Sequence, residues 1–157
     1  MRITRFSDIG LRVLIYLAGA DKDRAPATVA EIAKQFDIPA NHLVKVAGQL
    51  ARAGWIQALR GRKGGLKLQA DPKLLRLGTV LRELEGEAEL VDCEAQQCRL
   101  SKDCLLRAAM AAGLRAFYDA MDRYTLADVS GGAIGEQIIT MHRDFLRPQV
   151  LVDLSAL

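Results

Sequence analysis

The sequence is poor in aromatic residues and contains no long apolar run. Aromatic side chains make up 5% of its 157 residues, whereas 50% of the residues are hydrophobic. The core must therefore be built mainly from Leu, Ala, Val and Ile, a composition that favours helices. No apolar segment approaches the roughly 18 residues that a membrane-spanning helix needs. The start of the chain shows no signal-type apolar segment, so we expect a cytoplasmic protein with no membrane association.

Groupings typical of enzyme active sites are also missing. The sequence contains no nucleophile with a base at usable spacing and no paired carboxylates. The glycine-rich stretch 61–65 does not follow the pattern of a phosphate-binding loop. These absences argue against an enzyme.

Cysteine is scarce, and its three copies lie close together. Cys93, Cys98 and Cys104 fall within twelve positions. An odd, clustered set in a reducing compartment argues against a disulfide framework and favours a metal site or a reactive thiol. Structural zinc prefers tight two-residue knuckles and four ligands, whereas an iron–sulfur cluster accepts longer loops and a fourth ligand of another kind. The spacing therefore favours an iron–sulfur cluster, with zinc as the alternative.

Positive and negative charges are separated along the chain, although the net charge is only +3. Residues 41–70 contain six Lys or Arg and no acidic residue. In residues 81–104 the balance reverses, with seven Asp or Glu against three Lys or Arg. The sequence thus combines a basic module with an acidic, cysteine-bearing one.

The basic module has the pattern of a winged helix-turn-helix. A mostly buried helix is predicted over 5–20, and Thr28 and Glu31 form a capping-box pattern that begins a short helix over 29–36. The next helix is predicted from Pro39 to about Ala53, ending at Gly54. Two short strands, 55–59 and 66–68, are joined by a turn rich in glycine and cations. This order predicts a recognition helix followed by a β-hairpin wing.

The predicted recognition helix has two different faces. Leu43, Val46, Ala47 and Leu50 fall on one side at helical spacing, while the opposite side is polar and basic. Lys and Arg bind phosphates, and Asn, Gln, His and Arg can read base edges. The alternative is that these side chains are ordinary solvated charges. The predicted DNA contacts are Thr28, Asn41, His42, Lys45, Gln49, Arg52, Arg60, Arg62 and Lys63.

The second half of the chain is predicted to carry the cysteines between two helices. A helix is expected over 77–85, then a loop over 86–103, then a long helix from Cys104 to Asp122. This long helix carries an apolar stripe that needs a partner, and a second copy of the chain is the simplest one; the stripe comprises Leu106, Met110, Leu114, Phe117 and Met121. The predicted domains are residues 1–75, a winged helix-turn-helix; 76–129, a linker helix, cysteine loop and dimerisation helix; and 130–157, a tail with no assigned role. The fold class is mostly α with a small β-hairpin wing.

Several segments resemble one family of bacterial regulators. The chain is similar to the iron–sulfur-dependent winged-helix regulators, and in particular to their nitric-oxide-sensing branch. The resemblance covers residues 1–129 and rests on the cysteine spacing and on the segments MRITRFSDIGLRVLIYLA, NHLVKVAGQLARAGW, RGRKGGLKL, RELEG and LRAFYDAMDRYTLADV.

The resemblance implies a homodimer with one cluster per subunit. Cys93, Cys98 and Cys104 would be thiolate ligands, and Asp8 of the partner subunit would be the fourth; from the residues alone, Asp8 simply stabilises a helix N-terminus. In another branch a histidine follows the last cysteine by three residues, but Arg107 stands there and arginine cannot ligate iron. A 4Fe–4S cluster is favoured, and a 2Fe–2S cluster is the alternative.

The implied function is that of a repressor of palindromic operator DNA. Nitrosylation of the cluster would release the operator and derepress genes for nitric-oxide detoxification. The alternatives are a regulator of the same family that responds to iron supply or cluster biogenesis, and a cluster carrier that does not bind DNA.

Overall fold

The computed structural model describes residues 2–19, 25–61, 64–86, 90–91, 93, 96–100 and 103–153, with side chains up to residue 147. Within them the chain forms mostly helices and one two-stranded antiparallel sheet. The elements are α1 (Arg5–Gly19), α2 (Val29–Phe36), α3 (Ala40–Arg52), β1 (Ile56–Leu59), β2 (Gly65–Leu68), α4 (Leu77–Glu85), α5 (Leu105–Met121), α6 (Leu126–Ser130) and α7 (Gly132–Asp153).

The helix-turn-helix forms as its local sequence predicts. The Thr28 hydroxyl accepts a hydrogen bond from the Glu31 N–H, and the Glu31 carboxylate accepts one from the Thr28 N–H, which completes the capping box. After α2, Asp37 adopts a left-handed conformation with φ of 51°. The Ile38 N–H then bonds to the Ala33 carbonyl oxygen at 2.9 Å. This tight turn sets α3 directly after α2.

The recognition helix α3 packs with the predicted face inward. Leu43, Val46, Ala47 and Leu50 are all buried, and they join a core that α1 dominates through Val13, Leu14 and neighbouring residues. The helix ends at Arg52, and Gly54 follows with a positive φ of 76°. Both the burial and the glycine at the C-terminus of α3 agree with the sequence pattern.

The two strands form the predicted wing. Ile56 pairs with Leu68 and Leu59 with Gly65 in an antiparallel register. Gly64 lies in the connecting turn, where a Cβ atom would collide with the Leu59 carbonyl oxygen. The wing is anchored at its base because Ile56 and Leu66 are buried, and Leu66 also pairs with Ala27 just before α2.

Helix α5 leaves its apolar stripe only partly covered: Leu106 is exposed, and Met110, Leu114, Phe117 and Met121 are half-buried. None of the residues 105–121, all of which the structure describes, is buried within the single chain. Leu106, at the start of the stripe, is 65% exposed. An apolar helix face that the chain itself covers only in part supports the predicted contact with another molecule.

The region after residue 130 folds back onto α1 and α2. Helix α7 packs against α1 and α2, and Ile138 is buried there. A methyl group at Gly19 would lie 2.7 Å from the Ile138 Cδ1 atom, so glycine permits this close approach. The sequence pattern assigned no role to this region, and the structure gives it a structural one.

A buried polar cluster joins α7 to the helix-turn-helix. The Glu31 carboxylate accepts a hydrogen bond from the Tyr16 hydroxyl at 2.6 Å and also contacts Nδ1 of His142. Glu31 and His142 are each only 1% exposed. Burial and the contact with Glu31 raise the pKa of Tyr16 far above its ordinary value. The cluster therefore provides partners inside the core for the Tyr16 hydroxyl, the Glu31 carboxylate and Nδ1 of His142, while Nε2 of His142 has no hydrogen-bond partner among the described residues.

Among the described residues, no helix has both the length and the apolar character required to cross a lipid bilayer.

Candidate DNA interface and cysteine loop

The outward face of α3 carries the predicted DNA-contacting side chains. Asn41, His42, Lys45 and Arg52 are exposed, and Gln49 is half-buried. The Asn41 side-chain oxygen accepts a hydrogen bond from the His42 N–H at 3.0 Å, in the first turn of the helix. This face has no acidic residue of its own in α3, so it presents polar groups and positive charge to solvent.

Gln49 and Arg52 are linked to each other and to α4. The Arg52 guanidinium donates to the Gln49 side-chain oxygen at 2.7 Å. The Gln49 side-chain nitrogen in turn donates to the Glu83 carboxylate, also at 2.7 Å. The sequence pattern missed this contact because 34 residues separate Gln49 from Glu83.

The wing contributes further positive charge beside α3. Arg60, directly after β1, and Lys67 in β2 are exposed. The predicted contacts Arg62 and Lys63 lie outside the described residues. Thr28, the remaining predicted DNA contact, is half-buried, and its hydroxyl oxygen caps α2.

The three cysteines lie on the segment between α4 and α5. Cys93, Cys98 and Cys104 are all half-buried. The Cys98 N–H bonds to the Cys93 carbonyl oxygen at 3.0 Å, which holds the backbones of these two residues together. Cys104 is the N-cap residue of α5, a helix with no acidic residue in its first turn. The last of the three cysteines therefore lies at the positive end of the α5 helix dipole.

The three cysteines and their surroundings bear on whether an iron–sulfur cluster can bind here. Among the described residues, no group of three His, Cys, Asp or Glu side chains is placed to hold a metal ion. The donor set nevertheless suits a cluster, because three thiols lie on one turn-containing segment that ends at a helix N-terminus. A cluster has several irons and needs its ligands spread further apart than a single ion does.

Asp8 lies near the protein surface, in the first turn of α1. Both of its carboxylate oxygens are 3.0 Å from the Arg12 Nε atom, which donates to them. Its side chain remains 43% exposed. Within one chain Asp8 therefore forms an ion pair with Arg12, and it is accessible to a second molecule.

Helix α4 contacts three other helices through its polar side chains. Arg82 bonds to Asp122 at 2.6 Å and to Asp119 at 3.4 Å, both near the end of α5. Glu85 accepts hydrogen bonds from the Thr4 N–H and hydroxyl, at 2.8 and 3.1 Å, just before α1. Together with the Gln49–Glu83 bond, these contacts place α4 between the recognition helix, the N-terminus of α1 and α5.

Comparison with known proteins identifies a family and related structures. A family profile described as Rrf2, iron-dependent transcriptional regulator, matches residues 3–131. The oxidised form of Staphylococcus aureus CymR is 26% identical, with a TM-score of 0.65 over 85% of this chain and 98% of that one. CymR of B. subtilis, described as its global cysteine regulator, is 25% identical, with a TM-score of 0.65 over 83% and 96%.

A third solved structure shows the same fold at lower identity. IscR of T. potens is 20% identical, with a TM-score of 0.64 over 82% of this chain and 85% of that one. The winged-helix arrangement predicted from the sequence is thus confirmed by these structures.

Proposed function

The chain belongs to the Rrf2 family of iron-dependent transcriptional regulators, and we propose that within this family it is an iron–sulfur-dependent repressor that senses nitric oxide, like NsrR. The observation that carries the proposal is the combination of two features in one chain. An exposed polar and basic face on α3 is joined through α4 to a segment with three cysteines. The face of α3 is suited to binding DNA, and the cysteine segment is suited to binding iron.

The DNA-binding part of the proposal uses α3 and the wing. Helix α3 enters the major groove, where Asn41, His42, Gln49 and Arg52 lie near base edges and Lys45 near phosphate. The wing cations, including Arg60, meet the flanking backbone. Two copies of the chain, joined through the apolar stripe of α5, present two recognition helices to a palindromic operator.

The sensing part uses the cysteines and Asp8. Cys93, Cys98 and Cys104 would hold the cluster, and Asp8 of the partner subunit would complete its ligands. When bound, the cluster supplies iron that reacts with nitric oxide, and a carboxylate is a weaker ligand for such iron than a thiolate. To take part, Asp8 must leave Arg12, its partner within the single chain.

The Asp8 side chain gives the protein two arrangements. As a ligand across the dimer, it would connect the cysteine segment of one subunit to α1, and thus to the helix-turn-helix, of the other. Released, the carboxylate returns to Arg12 and that connection is lost. The spacing of the two recognition helices then relaxes, and operator binding weakens.

Protein purified without oxygen tests this proposal. We expect iron and acid-labile sulfide to copurify, and we expect a mobility shift on operator duplex that disappears as nitric oxide is titrated in. Protein without iron and sulfide, or operator affinity that is unchanged by nitric oxide, contradicts the proposal. Mössbauer and visible spectra of the same sample decide between a 4Fe–4S and a 2Fe–2S cluster.

Replacing Asp8 tests the fourth ligand. Asp8→Ala is expected to change the visible spectrum of the cluster and its rate of reaction with nitric oxide. Arg12→Ala is the matched control, because it breaks the same ion pair but keeps the carboxylate. If both variants change the spectrum alike, or if neither does, Asp8 is not a ligand.

Replacing Lys45 tests the contact with phosphate. Lys45→Ala should weaken operator binding and reduce the slope of log affinity against log salt by about one unit, because one fewer counterion is released. Arg123→Ala removes the same charge from an exposed position after α5 and should leave the slope unchanged. Equal slopes for the two variants would place Lys45 away from DNA.

A second candidate function is a regulator of iron supply or cluster biogenesis. It is favoured by the description of the family as iron-dependent. Under this alternative, operator binding falls when free iron is lowered to concentrations that occur in cells. Nitric oxide lowers operator binding only when it is present in excess. Parallel titrations of one preparation distinguish the two functions.

A further inference from the structure

An exposed acidic side chain stands beside the proposed DNA-reading face. Glu83 lies on the solvent side of α4, yet its carboxylate is 2.7 Å from the Gln49 side-chain nitrogen. Gln49 in turn accepts from Arg52 at 2.7 Å. A negative charge at this place repels DNA phosphates and reduces binding to any duplex. Glu83 is therefore unfavourable for DNA binding unless its hydrogen bond to Gln49 contributes to recognition in another way.

The chemistry of the three groups fixes the orientation of Gln49. A carboxylate only accepts hydrogen bonds, and a guanidinium only donates them. The Gln49 amide must therefore point its nitrogen at Glu83 and its oxygen at Arg52. The guanidinium has five N–H donors, and the bond to Gln49 uses one of them.

The position of Glu83 is itself well defined. Its neighbours in α4, Leu81 and Leu84, are buried. Arg82 and Glu85 are bonded to α5 and to Thr4 respectively. Glu83 is thus presented from a helix held on several sides, whereas Arg52 and Gln49 have long side chains that lose substantial entropy when they are fixed on DNA.

We propose that Glu83 is a positioning residue for DNA recognition: through Gln49 it orients Arg52, and it thereby increases discrimination of the operator from other duplex DNA. The inference rests on the proposed function, since it assumes that α3 contacts the bases. Preorganised side chains lose less entropy on binding, and only a DNA sequence that matches their fixed arrangement benefits.

Glu83→Ala and Glu83→Gln test the inference as a pair. Both remove the same charge, so any general rise in DNA affinity is common to them. Only Gln keeps a side-chain oxygen that can accept from the Gln49 amide. We expect the ratio of operator affinity to non-operator affinity to fall about tenfold in Glu83→Ala, the equivalent of one charged hydrogen bond, and to stay within about threefold of wild type in Glu83→Gln.

The operator is defined with the protein itself. Wild-type full-length protein, purified without oxygen, is used to select from a random-sequence library of duplexes of about 30 base pairs, which hold two half-sites one helical turn apart. Affinities are then measured on the selected duplex and on a scrambled duplex of equal length. Circular dichroism melts establish that each variant is folded.

A double-mutant cycle with Gln49 separates positioning from other effects. In the Gln49→Ala background, Glu83→Ala should leave the affinity ratio unchanged, because the connection to Arg52 is already broken. The inference is overturned if Glu83→Ala keeps the wild-type ratio, if Ala and Gln variants lose discrimination equally, or if the two substitutions are additive. If the wild type selects no sequence at all, the proposed function fails and the inference with it; in the other cases the inference alone fails.

Discussion

His142→Ala is expected to lower the free energy of unfolding by about 1–3 kcal/mol, the usual cost of leaving a buried polar group without one of its partners. His142 is 1% exposed and contacts Glu31, which is equally buried. Without the imidazole, the Glu31 carboxylate keeps its bond from Tyr16 but lies beside a cavity. For a chain of this length, each kcal/mol corresponds to roughly 2–4 °C in the melting temperature.

Chemical denaturation and thermal melts of matched variants measure this effect. Arg143→Ala is the control, since Arg143 is the next residue of α7 and is exposed; its stability should change by no more than about 0.5 kcal/mol. His142→Gln, which can still donate a hydrogen bond to Glu31, should recover part of the loss. Equal stability of the His142→Ala and Arg143→Ala proteins would show that the buried cluster does not hold α7 in place.

Leu106→Glu is expected to convert the proposed dimer into monomers. Leu106 begins the apolar stripe of α5 and is 65% exposed in the single chain, so the substitution should not disturb the fold of one subunit. A charge at this position would have to be buried between subunits without a partner. Loss of the second half-site should then reduce operator affinity by about 10²- to 10⁴-fold.

Analytical ultracentrifugation and mobility shifts measure this second prediction. Ala112→Glu is the control, because Ala112 lies on the opposite, exposed side of α5 and receives the same charge. The control should remain dimeric and keep its operator affinity. If Leu106→Glu also remains dimeric, the stripe is not the contact between subunits.

Local sequence was sufficient to predict the helix-turn-helix and its wing. The capping box at Thr28 and Glu31 marks the start of α2, and Gly54 marks the end of α3. The inward face of α3 followed from the spacing of Leu43, Val46 and Leu50. Capping and helical periodicity involve residues within a few positions of each other, so the sequence alone carries this information.

Tertiary structure decided how these elements are connected. The sequence determined that one face of α3 is polar and basic, and that three cysteines lie between two helices. Only the folded chain brings Glu83 to Gln49 across 34 residues, and His142 to Glu31 across 111. A capping-box glutamate is ordinarily solvated, and nothing within a few residues of Glu31 indicates its burial under α7. Such contacts depend on how whole helices pack against each other, which local spacing does not encode.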